Sequence, residues 1–345
     1  MSSSVVHGHP TAPASEVRAE FSELVSGRAV FDLESEAKIS LTGGDRLRWL
    51  NGMITNNVRD LAVGSGVYGF LLNPQGHILG DLYAFNRGDS LLVSTERSQL
   101  EKLLATFDRY IIMDDVEVAN LSEEITAIGV AGPKARAALK AAGFEFADLQ
   151  PLHFIETTWH NVALTLMRTD NPSVESYELW LRRDRYTEVW DALIGSGFRP
   201  VGAPALEVLR IACGIPRYGQ DIRERDLPQE TEQHRALHFS KGCYIGQEIV
   251  ERIRSRGTVH RKFSGFEVQG PLPAAGSKIQ ADGKDMGEVT SAASLPAADG
   301  DHAVALGYAR REVAIPGKVL QAGETTLSIA TLPFNQYIGG LTAKD

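Results

Sequence analysis

The sequence changes in character near Arg261, and this change limits the folds that the chain can adopt. Beyond Arg261, short runs of strand-favouring residues are separated at close intervals by proline, glycine and aspartate, which is typical of a small β-barrel or β-sandwich. The runs cover residues 263–268, 287–291, 303–309 and 326–330. We therefore predict a domain boundary near Lys262 and an all-β domain over residues 262–345.

The first two thirds of the chain mix helices and strands without the repeating strand–helix–strand order of a parallel sheet. Residues 37–41, 67–72 and 77–85 have strand patterns, and a strong turn signal, Asn73-Pro74-Gln75-Gly76, joins the last two. Helical spacing or helix-end signals mark residues 98–110, 133–143, 187–194 and 204–213. This order predicts an α+β fold in which antiparallel sheets carry helices on one face.

Length and charge exclude several classes of protein. A chain of 345 residues suggests two or three domains, and a formal net charge of −9 argues against a nucleic-acid partner. No stretch approaches the roughly 18 uninterrupted apolar residues of a membrane span. Residues 1–17 lack the pattern of a secretory signal, so we expect a disordered tail over residues 1–20 and a cytoplasmic protein.

The two cysteines are too few for a disulfide framework or a four-thiolate metal site. Cys213 lies in the apolar run 209–215 and is expected to be buried. Cys243 lies in Lys241-Gly242-Cys243-Tyr244-Ile245-Gly246-Gln247-Glu248. The lysine and a helix that starts at about Tyr244 would both favour a thiolate, so we predict a reactive thiol. The alternative is a small side chain that packs behind a glycine-bordered loop.

This octapeptide, written KGCYxGQE, resembles the signature of the YgfZ proteins. These are folate-binding relatives of the glycine-cleavage T-protein (aminomethyltransferase) that support iron–sulfur enzymes. The resemblance covers about residues 27–340. It is strongest in LRIACGIPRYGQDI (209–222) and LPQE (227–230), with weaker matches in residues 41–58 and 71–76.

The resemblance implies both a fold and a function. The implied fold is a T-protein-like folate-binding region of two interleaved antiparallel-sheet subdomains over residues 21–261, followed by a small C-terminal β-barrel over residues 262–345. The implied cofactor is tetrahydrofolate or a derivative of it. The implied partners are folate and, transiently, iron–sulfur enzymes or their assembly proteins, with no nucleic acid and no membrane.

Two acidic residues are central to the predicted site. Glu178 lies in the alternating stretch Ser176-Tyr177-Glu178-Leu179-Trp180, where T-protein relatives have a glutamate that binds the pterin ring. A carboxylate can accept two parallel hydrogen bonds from the adjacent N–H donors of an aminopyrimidinone. An outward-facing strand glutamate is the alternative.

Asp81 resembles part of a Gly-Gly-x-x-Asp-Asp element that presents a catalytic aspartate in the aminomethyltransferases. Here the string is Gly76-His77-Ile78-Leu79-Gly80-Asp81, so a glycine occupies one of the two acidic positions. This difference weakens the prediction of general acid–base catalysis and of aminomethyl transfer.

The complete set of predicted site residues follows from these motifs. The catalytic candidates are Cys243, Lys241 and Asp81, and the cofactor-binding candidates are Glu178, Met53, Tyr83, Arg210 and Tyr244. The predicted function is a tetrahydrofolate-binding protein that assists the assembly or repair of iron–sulfur enzymes. The alternative is a folate-dependent aminomethyltransferase or demethylase, and whether the chain is an enzyme stays open.

Overall fold

The computed structural model describes residues 14–338, except for the side chain of Arg256. Its first element is helix α1, Ala14–Ser26, so the prediction of a disordered tail is wrong for residues 14–20. The helix forms because Phe21, Leu24 and Val25 lie on one face and are buried. Residues 1–13 of the predicted tail lie outside the described part of the chain.

Helices and strands follow one another irregularly along the described chain. After α1 they are β1 (Ala29–Asp32), β2 (Glu36–Thr42), α2 (Arg46–Met53), β3 (Ser65–Leu72), β4 (Ile78–Asn86), β5 (Leu91–Glu96), α3 (Leu100–Tyr110), β6 (Glu117–Asn120), β7 (Ile125–Ala131), α4 (Ala135–Ala141), β8 (Phe154–Trp159), β9 (Val162–Arg168), β10 (Ser176–Arg182), α5 (Tyr186–Gly195), β11 (Arg199–Pro200), α6 (Ala203–Ala212), α7 (Gln247–Arg256), β12 (Arg261–Gln269), β13 (Lys278–Ala281), β14 (Lys284–Ala297), β15 (Gly300–Arg310), β16 (Val319–Ala322), β17 (Thr325–Ala330) and α8 (Asn335–Ile338). Between residues 14 and 338, no helix is both long and apolar enough to span a membrane.

Two mainly antiparallel sheets form the first two thirds of the chain, and their strands interleave in sequence. The larger sheet has six strands in the order β11-β1-β7-β10-β9-β8, and the smaller has five in the order β3-β4-β5-β2-β6. All five strands of the smaller sheet lie in sequence between β1 and β7, which are neighbours in the larger sheet. The prediction of two interleaved antiparallel-sheet subdomains is therefore confirmed.

Aromatic side chains fill the space between the two sheets. Phe85 of the smaller sheet packs edge-on against Trp180 of the larger sheet, with ring centroids 4.7 Å apart, and against Phe154 at 6.0 Å. Leu92 and Met167 are buried in the same cluster. Because each aromatic ring removes a large apolar area from water, this aromatic seam stabilises the relative position of the two sheets.

The C-terminal strands close into a six-stranded barrel, as predicted. Their order is β12-β15-β14-β13-β16-β17, and β12 pairs with both β15 and β17. A core of small and β-branched side chains fills the interior, including Val289, Ala305 and Leu327. On its outer side the barrel packs against α6 and α1, where Phe263 and Tyr308 are buried.

A buried carboxylate connects the barrel to the segment that follows α6. Asp221 is fully buried, and its Oδ2 accepts hydrogen bonds from Arg210 at 2.6 Å and from the backbone N–H of Arg217 at 3.0 Å. Its Oδ1 accepts hydrogen bonds from the hydroxyls of Thr290 and Ser291 on β14. A buried charge is tolerated only when it is well paired, so these partners fix the segment against the barrel.

Candidate functional site

Two small cavities lie beside the aromatic seam. The Glu178 cavity has a volume of about 170 Å³, and the Asp81 cavity has a volume of about 180 Å³. Glu36, Tyr83 and Ser94 line both, so the two cavities adjoin. The remaining wall of the Glu178 cavity consists of Phe85, Leu152, Met167, Thr169, Asp170 and Glu178. The remaining wall of the Asp81 cavity consists of Tyr68, Asp81, Leu82, Thr95, Glu96, Arg210, Ile215, Pro216, Arg217, Tyr218 and Arg235.

Glu178 is the acidic residue of the first cavity, and only 14% of its side chain is exposed. Its Oε2 accepts a hydrogen bond from Nε1 of Trp180 at 2.7 Å and lies 3.8 Å from Nζ of Lys38. Within residues 14–338, no group donates a hydrogen bond to Oε1 of Glu178. Burial, together with the nearby Glu36, raises the pKa of Glu178 to about 7. The cavity wall thus contains a carboxyl group with one free oxygen.

Asp81 lies on β4, and protein donors engage both of its carboxylate oxygens. Oδ2 accepts a hydrogen bond from the hydroxyl of Tyr68 at 2.7 Å, and Oδ1 accepts one from Nε2 of Gln99 at 2.7 Å. Burial raises the pKa of Asp81. A side chain at Gly80 would lie 2.9 Å from both Oε1 of Gln99 and Cδ1 of Leu103. A second carboxylate at the glycine of this element would therefore require Gln99 and Leu103 to shift.

Tyr83 lines both cavities and contacts two charged residues, Asp170 and Arg235. Its hydroxyl donates to Oδ1 of Asp170 at 3.2 Å and accepts a hydrogen bond from Arg235 at 3.2 Å. Arg235 also pairs with Asp170, and its guanidinium carbon lies 4.3 Å from the ring centroid of Tyr68. These residues come from separate strands and loops, so only the tertiary structure brings them together.

Arg210 borders the Asp81 cavity but has no free donor for a ligand. Its five N–H bonds all point at protein acceptors, which are both oxygens of Glu207, the carbonyl of Ile215, Oδ2 of Asp221 and the hydroxyl of Ser291. The side chain thus joins α6 to the barrel. The structure assigns it to the interdomain contact rather than to cofactor binding.

Met53 and Tyr244 lie away from both cavity walls. Met53 is 3% exposed and packs with Trp49 and Leu50 in the core of the smaller sheet. Tyr244 is also buried, in a cluster that includes Phe70. Neither residue lines the Glu178 or the Asp81 cavity, so their predicted contact with a cofactor has no support in this geometry.

Lys241 fixes the loop that precedes α7. It is buried, and its Nζ donates to the carbonyl oxygens of Asn51, Ile54 (2.6 Å) and Asn56 (2.7 Å). Burial lowers the pKa of Lys241 to about 7, whereas three carbonyl acceptors match the three N–H bonds of an ammonium and favour the charged form. All donors of Lys241 are used at the end of α2, so none is left for the neighbouring thiol.

Cys243 lies in the same loop and is exposed to solvent, whereas Cys213 is buried as predicted. Burial raises the pKa of the Cys213 thiol to about 12. Helix α7 begins at Gln247, later than the predicted start at Tyr244, because Gly246 adopts φ +80° and packs against Asn73. No residue of the loop lines either cavity, so the thiol and the cavities are separate features of the surface.

Two protein-family models match successive parts of the chain. Residues 9–241 match the model for the GCVT N-terminal domain. The chain belongs to this family. Residues 258–334 match the model for the CAF17 C-terminal beta-barrel domain.

Curated relatives of this GCVT-family chain carry the name aminomethyltransferase. The chain is 29% identical to the protein of Rubrobacter xylanophilus over 81% of its own length and 76% of the relative's. It is 30% identical to the protein of Herpetosiphon aurantiacus, with 84% and 81% of the two chains covered. The chain also resembles the crystal structure of glycine cleavage system aminomethyltransferase T from Bartonella henselae, with a TM-score of 0.83. The superposition covers 93% of this chain and 90% of that one, at 22% sequence identity. This similarity shows a shared fold.

Replacing Lys241 with methionine should release the loop from α2. Methionine retains an apolar stem but leaves three buried carbonyl groups without a donor, and each such group costs about 1–3 kcal/mol. We expect urea denaturation to show a loss of about 2–4 kcal/mol in the free energy of unfolding. Amide hydrogen exchange should become faster in residues 241–246. Exposed Lys284→Met is the control, and unchanged exchange in the loop of the Lys241 variant would contradict its anchoring role.

Proposed function

We propose that the protein binds tetrahydrofolate, or a derivative of it, across the Glu178 and Asp81 cavities. The observation that carries this proposal is the partly buried carboxyl group of Glu178, whose Oε1 is free within the described chain. Phe85, Leu152 and Met167 supply apolar walls beside it. An aminopyrimidinone has adjacent N–H donors for such a carboxylate and a flat ring for such walls, so these residues fit a pterin.

Either cavity alone is small for a folate, so the proposed ligand would have to extend through both. Each volume, about 170 or 180 Å³, is below the roughly 300 Å³ at which pockets for drug-sized ligands begin. Since Glu36, Tyr83 and Ser94 are shared, a folate-sized molecule can use the two spaces together. In such a complex Asp81 would face the same ligand as Glu178, and Tyr83 would lie between them.

Glu178→Gln should weaken tetrahydrofolate binding by about 10- to 100-fold, since a hydrogen bond to a charged group is worth about 1.5–3 kcal/mol. Binding to the unaltered protein should also weaken as the pH falls below about 7, because protonation removes the charged acceptor. The expected loss is about tenfold between pH 8 and pH 6. The Glu178 variant should lose this pH dependence.

Calorimetry under anaerobic, reducing conditions measures both effects. Glu188→Gln, an exposed change on α5, is the matched control and should bind like the unaltered protein. Absence of saturable binding to the unaltered protein would refute the folate proposal. If the Glu178 variant bound tetrahydrofolate as tightly as the unaltered protein, the pterin would not bind at Glu178.

We further propose that Cys243 serves an accessory role in the assembly or repair of iron–sulfur enzymes. The thiol is exposed and lies outside both cavity walls, so another protein can reach it while the cavities are filled. Lys241 fixes the loop that presents it, independently of any ligand. Cys243 is the one exposed cysteine of the chain, so a cluster bound there would need ligands other than cysteine or a second chain.

Cys243→Ala should abolish support of iron–sulfur enzymes while leaving tetrahydrofolate affinity within about twofold of normal. The activity of an iron–sulfur dehydratase in cells that lack the unaltered protein provides the first readout, and calorimetry on the purified variant provides the second. Cys213→Ala removes the other, buried thiol and serves as the control. Full dehydratase activity with Cys243→Ala would contradict a role for this thiol.

Aminomethyl transfer is a second candidate function, favoured by the names of the curated relatives and by the partly buried Asp81 in a cavity wall. Bound tetrahydrofolate would supply an amine that accepts a one-carbon unit. If transfer occurs, the purified protein should release ammonia from an aminomethyl donor only when tetrahydrofolate is present. Asp81→Asn should then lower the rate by about 100-fold or more, the usual contribution of a general acid or base. Ammonia release no faster than without protein would exclude this function.

A further inference from the structure

Lys38 is a buried charged residue to which the proposed binding function assigns no role. It lies on β2 of the smaller sheet, and 1% of its side chain is exposed. Its Nζ pairs with Oε2 of Glu36, donates to the hydroxyl of Ser94 at 2.8 Å and lies 3.8 Å from Oε2 of Glu178. The same Nζ lies 4.8 Å from the ring centroid of Trp180. One ammonium on the smaller sheet thus contacts a carboxylate and an indole on the larger sheet.

The charges near Glu178 would be unfavourable without this ammonium. Glu36 faces Glu178 from β2, and Asp170 faces it from the segment after β9. Arg235 pairs with Asp170 and Tyr83, which leaves Lys38 as the cation next to Glu36 and Glu178. Two buried carboxylates without a nearby cation would hold a proton between them, since like charges at short range disfavour double ionisation.

We propose that Lys38 is a positioning residue for ligand recognition, which keeps Glu178 ionised and oriented for the N–H donors of a reduced pterin. The inference rests on the proposed folate binding and adds the residue that prepares the carboxylate for it. Two groups orient the carboxylate of Glu178, because its Oε2 faces both the ammonium of Lys38 and the indole N–H of Trp180. Oε1 is thereby left for the ligand. A protonated Glu178 would present a donor where the ligand also has donors.

The ionisation of Glu178 can be followed without a ligand. The indole N–H of Trp180 donates to Glu178 at 2.7 Å, so its nitrogen-15 resonance should move as Glu178 titrates. The chain has four tryptophans, and the Trp180 signal is identified by its loss in Trp180→Phe. In the unaltered protein the midpoint is expected near pH 7.

Charge changes on β2 should move this midpoint in opposite directions. Lys38→Met should raise it by about 1–3 pH units, because an opposite charge at this distance lowers the pKa of an acid by that amount. Glu36→Gln should lower it, because it removes the neighbouring negative charge. The double variant should titrate between the two single variants. A role for Lys38 in packing alone would not produce shifts of opposite sign.

The second readout is the pH dependence of tetrahydrofolate affinity measured by calorimetry. The pH at which binding begins to weaken should move with the midpoint of the Trp180 signal in each variant. Lys38→Gln keeps a hydrogen-bond donor for Glu36 and Ser94 without the charge, and it replaces Lys38→Met if the methionine variant does not fold. An unchanged Trp180 midpoint in the folded Lys38 variant would overturn the inference. Failure of the unaltered protein to bind tetrahydrofolate, with shifted midpoints, would refute the proposed function and leave the charge effect intact.

Discussion

Insertion of the smaller sheet between two neighbouring strands of the larger one is the constraint on which the candidate site depends. Because β1 and β7 pair directly, the chain must leave the larger sheet and return to it at adjacent positions. The two sheets therefore lie side by side, and Phe85, Phe154 and Trp180 fill the space between them. The Glu178 cavity lies beside this aromatic seam, and its wall draws residues from both sheets. A site of this kind cannot form from either sheet alone.

Buried charges are compensated by different chemical means in different parts of the structure. Arg210 uses all five donors on carboxylates, a carbonyl and a hydroxyl, and Lys241 uses its three on backbone carbonyls. Both groups are saturated, which suits a structural contact and leaves nothing for a ligand. Glu178 differs because Oε1 has no donor within residues 14–338. Glu178 lines a cavity and is only partly buried, so this oxygen is accessible to a ligand.

Local patterns predicted individual elements because strand alternation, helical spacing and turn residues act over a few positions. They located four of the six barrel strands, the β3–β4 hairpin and the buried Cys213, whereas the interleaving of the two sheets was implied by the family resemblance alone. Glu178, which the resemblance implied, and Tyr83 both line the cavities. Lys38 and Asp170 were missed, since their contacts join segments far apart in sequence. Lys241 was misinterpreted for the same reason: its nearest partners in space are carbonyls of residues 51–56, not the thiol two positions away.

The interleaved order of strands also affects how the chain emerges from a ribosome. Ala29 of β1 pairs with Ala131 of β7 and with Arg199 of β11, so neither partner exists when β1 is synthesised. All strands of the smaller sheet are complete by Asn120, before the first residue of β7. Synthesis therefore allows the smaller sheet to fold first, while both edges of β1 remain unpaired. An unpaired strand is a template for association with other chains, which makes β1 the part of the nascent protein that benefits most from a chaperone.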